Sequence, residues 1–129
     1  MRLLLDTHCF LWLQTHPERF SEGLLALLAS DENELLLSSA SAWEIAIRYG
    51  LGKLSLPLPP SRYVPTRMAS SGVEPLAIEI AHGARVAELP PHHRDPFDRL
   101  LVAQAQLEKL TLVTADDQIE AYDVELMRV

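Results

Sequence analysis

Three observations predict a three-layer α/β sandwich in which helices cover both faces of a mainly parallel central sheet. Leu3-Leu4-Leu5, Glu34 to Ser38 (Glu-Leu-Leu-Leu-Ser) and Thr111-Leu112-Val113-Thr114 are short apolar runs without polar alternation, as in strands buried on both faces. Segments with helical spacing and capping residues separate them, which is the strand–helix alternation of a parallel sheet. Acids follow the first and last of these runs, Asp6 directly and Asp116 after two residues. In such sheets, sites collect beyond the carboxyl ends of the strands, where the strand order reverses.

The elements follow in chain order. After the first strand, His8 to Gln14 reads as a helix whose bulk comes from Phe10, Leu11, Trp12 and Leu13. Ser21 is an N-cap for a helix through Leu24, Leu25, Leu27 and Leu28 that ends near Asp31. Ser39 or Ser41 starts the helix after the second strand. It runs through Trp43, Glu44, Ile45, Ile47 and Tyr49 and stops at Gly50-Leu51-Gly52. Lys53 to Pro60 is a proline-stiffened extended connection. Ser61 to Ser71 is helical with Pro65 limiting it, and Val73 to Ala77 is a short strand that Pro75 assigns to an edge. Ile78 to Leu89 is an amphipathic helix, followed by the loop Pro90-Pro91-His92-His93-Arg94. A short helix then joins Asp116-Asp117 to Tyr122, and Val124 to Val129 closes as a strand.

The helix from Asp95 to Ala105 starts sharply. Asp95 is the N-cap, Pro96 takes the first helical position where its missing N–H costs nothing, and Asp98 falls third. Asp98 shares its face with Leu101, Val102 and Ala105, so its carboxylate points along the buried side and needs partners there. The plain alternative is a variant capping box favoured by the helix dipole.

Composition sets bounds. A chain of 129 residues, 48% hydrophobic and 22% charged, is expected to form one globular domain over residues 1–129. No apolar run reaches the roughly 18 residues of a membrane span, and Asp6 and His8 interrupt the only leader-like stretch, so a cytoplasmic location is expected. Cys9 is the sole cysteine, which excludes an internal disulfide and a cysteine-based zinc site. The net charge of −7 argues against nucleic-acid binding by bulk electrostatics. The distribution is uneven, however. Residues 48–94 hold six basic against three acidic residues, while the rest of the chain holds five against fifteen. One segment is therefore able to face a polyanion.

Four acids are candidates for chemistry. Asp6 and Asp116 project at the carboxyl edge of the sheet, and Asp98 and Glu44 lie on helices able to lean over it. Each also has a plain structural reading: Asp6 as a helix cap, Glu44 as the partner of Arg48 four residues on, and Asp116 with Asp117 as a turn. If the four converge, their repulsion calls for a cation, and oxygen donors without a Cys or His cluster select Mg²⁺ or Mn²⁺ over zinc. His92 and His93 read as a solvated rim, and Trp12 and Trp43 as core. No glycine elbow surrounds Ser38, Ser39 or Ser41, and there is no glycine-rich phosphate loop.

Leu3-Leu4-Leu5-Asp6-Thr7-His8, Ser41-Ala42-Trp43-Glu44-Ile45, Asp95 to Ala105 (Asp-Pro-Phe-Asp-Arg-Leu-Leu-Val-Ala-Gln-Ala) and Leu112-Val113-Thr114-Ala115-Asp116 together resemble, in order, the motifs of PIN-domain ribonucleases. The likeness is greatest to the VapC toxins of bacterial toxin–antitoxin pairs. The resemblance implies a PIN-like fold and an acidic metal site of Asp6, Glu44, Asp98 and Asp116. It implies Thr7 and Thr114 as supporting hydroxyls; Asp95, an extra acid that many PIN domains lack, is either a fifth site member or only the helix cap, and Arg99 beside Asp98 is expected in a supporting place. The resemblance implies Mg²⁺- or Mn²⁺-dependent cleavage of RNA, with in-line attack by a metal-activated water on the phosphodiester. It further implies a homodimer silenced by a cognate antitoxin, whose Arg or Lys would dock in the acidic site. Two other readings compete. One is a catalytically inactive PIN-like module that binds RNA or protein. The other is a phosphatase with Asp6 as nucleophile, which His8 disfavours because such enzymes want a second Asp at that position.

Overall fold

A computed structural model describes all residues, 1–129. Five strands, β1 (Arg2–Leu5), β2 (Glu34–Ser38), β3 (Val73–Leu76), β4 (Thr111–Thr114) and β5 (Leu126–Arg128), form one sheet in the order β3-β2-β1-β4-β5. Every pairing is parallel. The chain runs outward from β1 to β2 and β3, then returns to lay β4 on the other side of β1. The strand order therefore reverses between β1 and β4, and this is where a site is expected.

The apolar runs form strands because both of their faces are covered. Leu3 and Leu5, with Leu35 and Leu37 in register, pack on one face against Cys9 and Phe10 of α1 (Thr7–Thr15), Leu24 and Leu28 of α2 (Glu22–Ala29), Ile45 of α3 (Ser39–Gly50) and Tyr63 and Val64 of α4 (Pro60–Ser71). Leu4, Leu36 and Leu112 turn to the other face, against Leu101, Val102 and Ala105 of α6 (Pro96–Glu108). The layers are thus helix, sheet, helix, as the unalternated runs predict. α5 (Ile80–Arg85) lies beside α6, tied to it by buried His82, whose Nε2 is 2.9 Å from Glu108 Oε1 while its Nδ1 accepts the Glu79 amide.

Several elements depart from the sequence expectation. α4 continues through Pro65, because Tyr63 and Val64 in the same helix are buried in the core and offset one lost backbone bond. It ends at Gly72 in the left-handed region, φ +67°, which glycine occupies without a Cβ clash. The helix expected over 78–89 begins at Ile80 and gives way to a 3₁₀ turn at Val86–Glu88. There Arg99 Nη2 donates to the carbonyls of Val86 (3.0 Å) and Leu89 (3.2 Å), holding the tighter turn against α6. Ser38, rather than Ser39 or Ser41, caps α3 through the Ala40 amide. The closing strand is limited to Leu126–Arg128. No helix is long and apolar enough to cross a membrane.

Candidate functional site

The reversal between β1 and β4 brings three aspartates together from three elements. Asp6 ends β1 and caps α1: its Oδ1 accepts the Cys9 amide at 2.7 Å, and the side chain is almost fully buried. Asp116 follows β4, where Thr114 Oγ1 accepts its amide at 3.0 Å and its own Oδ1 accepts the Gln118 amide at 2.9 Å. Asp98 reaches in from the first turn of α6, positioned by Asp95, whose Oδ1 accepts the amides of Phe97 (2.8 Å) and Asp98 (3.3 Å). Capping and site placement are therefore compatible in this fold, because helix N-termini abut the carboxyl edge of the sheet. The three line one cleft of about 350 Å³ with His8, Trp12, His93, Asp95 and Ala115.

Glu44 approaches from α3 and is only 8% exposed. It makes no ion pair with Arg48, as the helical spacing had offered. Arg48 Nη1 instead lies 3.1 Å from His8 Nε2 at the cleft rim. Glu44 Oε1 is buried without any hydrogen-bond partner, an arrangement that is costly for a carboxylate. Its charge is felt at Asp98.

Thr7 lies beneath Asp6, where its buried hydroxyl donates to Ser41 Oγ at 2.9 Å and couples the β1 end to α3. Arg99, expected to support the acids, points away from them to the carbonyls of Val86 and Leu89. Asp117 is 85% exposed and pairs with Arg128, so of the adjacent pair it is Asp116 that faces the cleft.

Two expectations need correction. His93 is not a solvated rim residue: its Nε2 lies 2.7 Å from Asp116 Oδ2 and 3.1 Å from Asp98 Oδ2. Nothing local marks it, because the loop is folded inward by the Tyr122 hydroxyl, which accepts the His93 amide at 2.9 Å from 29 residues away. Trp43 is not core: it is 61% exposed, with Phe97 set edge-on against it at 5.3 Å, whereas Trp12 is half-buried, packing against the core while lining the cleft with Arg19 over its ring.

The electrostatics follow from this crowding. Burial, then the charges of Asp95 and Asp6, push the Asp98 carboxyl up to about 7, with Glu44 adding and His93 opposing. Burial also pushes on Asp116, but the Gln118 amide and His93 outweigh it and hold that carboxyl below its ordinary value. Burial raises the Cys9 thiol strongly, which keeps it protonated and inert. The donor set is oxygen-rich, one buried carboxylate oxygen is orphaned, and one carboxyl is forced toward neutrality. Those features fit a hard divalent cation.

This topology and this acidic edge define a class. Residues 3–125 match the PIN domain family, and the chain belongs to it. Over 72 residues it is 52% identical to Ribonuclease VapC16 of Mycobacterium tuberculosis (strain ATCC 25618 / H37Rv), an alignment covering 54% of this chain and 51% of that protein. The chain thus matches about half the length of that curated relative. The fold is similar to VapBC2 from Rickettsia felis, crystallised with a DNA fragment from its promoter (TM-score 0.73, 20% identity, 99% and 98% of the two chains). It is also similar to VapBC-1 from nontypeable Haemophilus influenzae (TM-score 0.67, 14% identity, 99% and 98%).

Proposed function

We propose that this protein is a Mg²⁺- or Mn²⁺-dependent endoribonuclease acting in the cytoplasm as the toxin of a type II toxin–antitoxin pair. The observation that carries the reading is the convergence of Asp6, Asp98 and Asp116 beside a buried, partnerless Glu44 oxygen at the sheet's switch point. Capping accounts for Asp6 and Asp116 one at a time, but not for bringing them together with Asp98 beside Glu44, where each adds to the others' repulsion. The similarity to a ribonuclease and to toxin–antitoxin structures supports the activity and the antitoxin partner.

Asp6, Glu44, Asp98 and Asp116 would hold the cation. When bound, it supplies a nucleophilic water at neutral pH and offsets the charge that develops on the phosphate. The chain's own residues set the rest. The amides of Cys9 and Gln118 fix the orientation of Asp6 and Asp116, so little reorganisation is needed on binding. Asp98, near neutrality in its affinity for a proton, releases one readily when positive charge enters. Arg48 and His8 at the rim, with the exposed Arg94 beside His93, are positioned to draw an RNA phosphate toward an otherwise acidic floor.

An antitoxin would silence the site by placing an Arg or Lys among the same carboxylates. Trp43, Ile47 and Leu51, four residues apart and all exposed, form an apolar stripe along α3 and its end. That stripe supports pairing of two copies.

The test is brief expression of the wild type and Asp98→Asn in a bacterial host, with new RNA 5′ ends mapped across the transcriptome. Discrete ends are expected with the wild type only. Equal sets of ends from both proteins would remove Asp98 from the reaction.

A further inference from the structure

The loop before α6 carries a side chain that the proposed chemistry leaves unused. His93 Nε2 sits between Asp98 Oδ2 and Asp116 Oδ2, and the three atoms that these residues could offer a metal lie within 4.8 Å of one another. We propose that His93 is a built-in placeholder for the cation: its Nε2–H occupies the lone pairs of Asp98 and Asp116 in the metal-free protein and must leave them when metal enters. It is thus a positioning residue that sets metal affinity. This inference rests on the reading of the acids as a metal site.

The hydrogen-bond pattern decides between placeholder and ligand. The Asp95 amide donates to His93 Nδ1 at 3.1 Å, so Nδ1 is the acceptor nitrogen and the proton of the neutral ring resides on Nε2. An Nε2 that carries a proton donates hydrogen bonds and has no lone pair for a metal. It donates to two carboxylates on different elements, α6 and the segment after β4, and so holds together groups that would otherwise repel. The oxygen lone pairs it engages are those a cation would need.

The backbone that carries the ring is also held. The Tyr122 hydroxyl accepts the His93 amide, and His92 stands edge-on to the Tyr122 ring at 5.1 Å. Tyr122 is itself buried in the core beside α6. The backbone is therefore fixed, and only rotation of the His93 side chain releases the acids. This separates His93 from the exposed loop residues around it and gives the mutual repulsion of Asp98 and Asp116 a local answer within the chain.

The experiment is isothermal titration calorimetry of the full chain with Mn²⁺ at about pH 8, comparing wild type, His93→Ala and Tyr122→Phe. Removing the competing donor is expected to tighten Mn²⁺ binding about tenfold in His93→Ala. Tyr122→Phe should move affinity the same way by less, and it carries the test if the alanine variant does not fold. In the wild type labelled with ¹⁵N at histidine, saturating Mg²⁺ should shift the His93 ring resonances as Nε2–H leaves the carboxylates. Unchanged affinity, or ring resonances that stay put, would overturn the assignment. Weaker binding in folded His93→Ala would overturn it in favour of His93 as a ligand. A wild type that binds no Mn²⁺ would instead overturn the metal reading itself, and the placeholder with it.

Discussion

Replacing Asp98 by Asn should remove the activity and, in the absence of metal, make the protein more stable. The folded protein holds this carboxyl at about 7, against an ordinary value of 3.8, because it is buried beside Asp95, Asp6 and Glu44. The folded state therefore binds more protons than the unfolded chain between about pH 4 and pH 7, and stability falls as pH rises through that window. A shift of that size corresponds to about 4 kcal/mol once the group is fully ionised. Asn escapes that cost, in which the favourable contact with His93 is already counted, so a gain approaching about 4 kcal/mol is expected near pH 8. Urea unfolding followed by circular dichroism, with EDTA present, measures it. The gain should shrink as pH falls and vanish below about pH 3, where Asp98 is protonated in both states, and saturating Mg²⁺ should narrow it at pH 8. A variant less stable than wild type at pH 8, or a difference that ignores pH, would refute the claim that ionised Asp98 is held against its preference.

Glu44→Gln should weaken Mn²⁺ binding by at least about tenfold, read by calorimetry, without lowering the unfolding free energy of the metal-free protein, since Oε1 has no partner to lose and a buried charge is removed. Leu4→Ala, in the central strand with no exposure, should cost about 3 kcal/mol in urea unfolding. Lys109 closes α6 with φ at 56°, so Lys109→Gly is expected to stabilise by about 1 kcal/mol, seen as a higher urea midpoint at unchanged slope. Trp43→Glu should convert a dimer to a monomer by light scattering on a sizing column, and a wild type that elutes as a monomer at the same concentration would remove the pairing role of the α3 stripe.

The sequence alone determined what depends on neighbours in the chain. Unbroken apolar runs announce strands covered on both faces, and Leu4 and Leu112 are indeed without exposure. The Asp95-Pro96 start of α6 is legible because capping involves groups two and three residues apart. The placement of Asp6 and Asp116 at one edge follows from strand ends and the rule for parallel sheets. Tertiary structure decided the rest. Whether α4 survives Pro65 depends on the burial of Tyr63 and Val64, which no local propensity states. Whether Trp43 is core or surface depends on which side of α3 meets the sheet, and Ile45 and Glu44 take that side. Arg99 could not be assigned from its place beside Asp98, because its carbonyl partners lie 10 and 13 residues upstream. His93 is the clearest case: its acceptor on Asp116 is 23 residues distant and its tether on Tyr122 is 29. Contacts across such separations are set by how packed elements meet in space, and they leave no period, cap or turn in the chain that makes them.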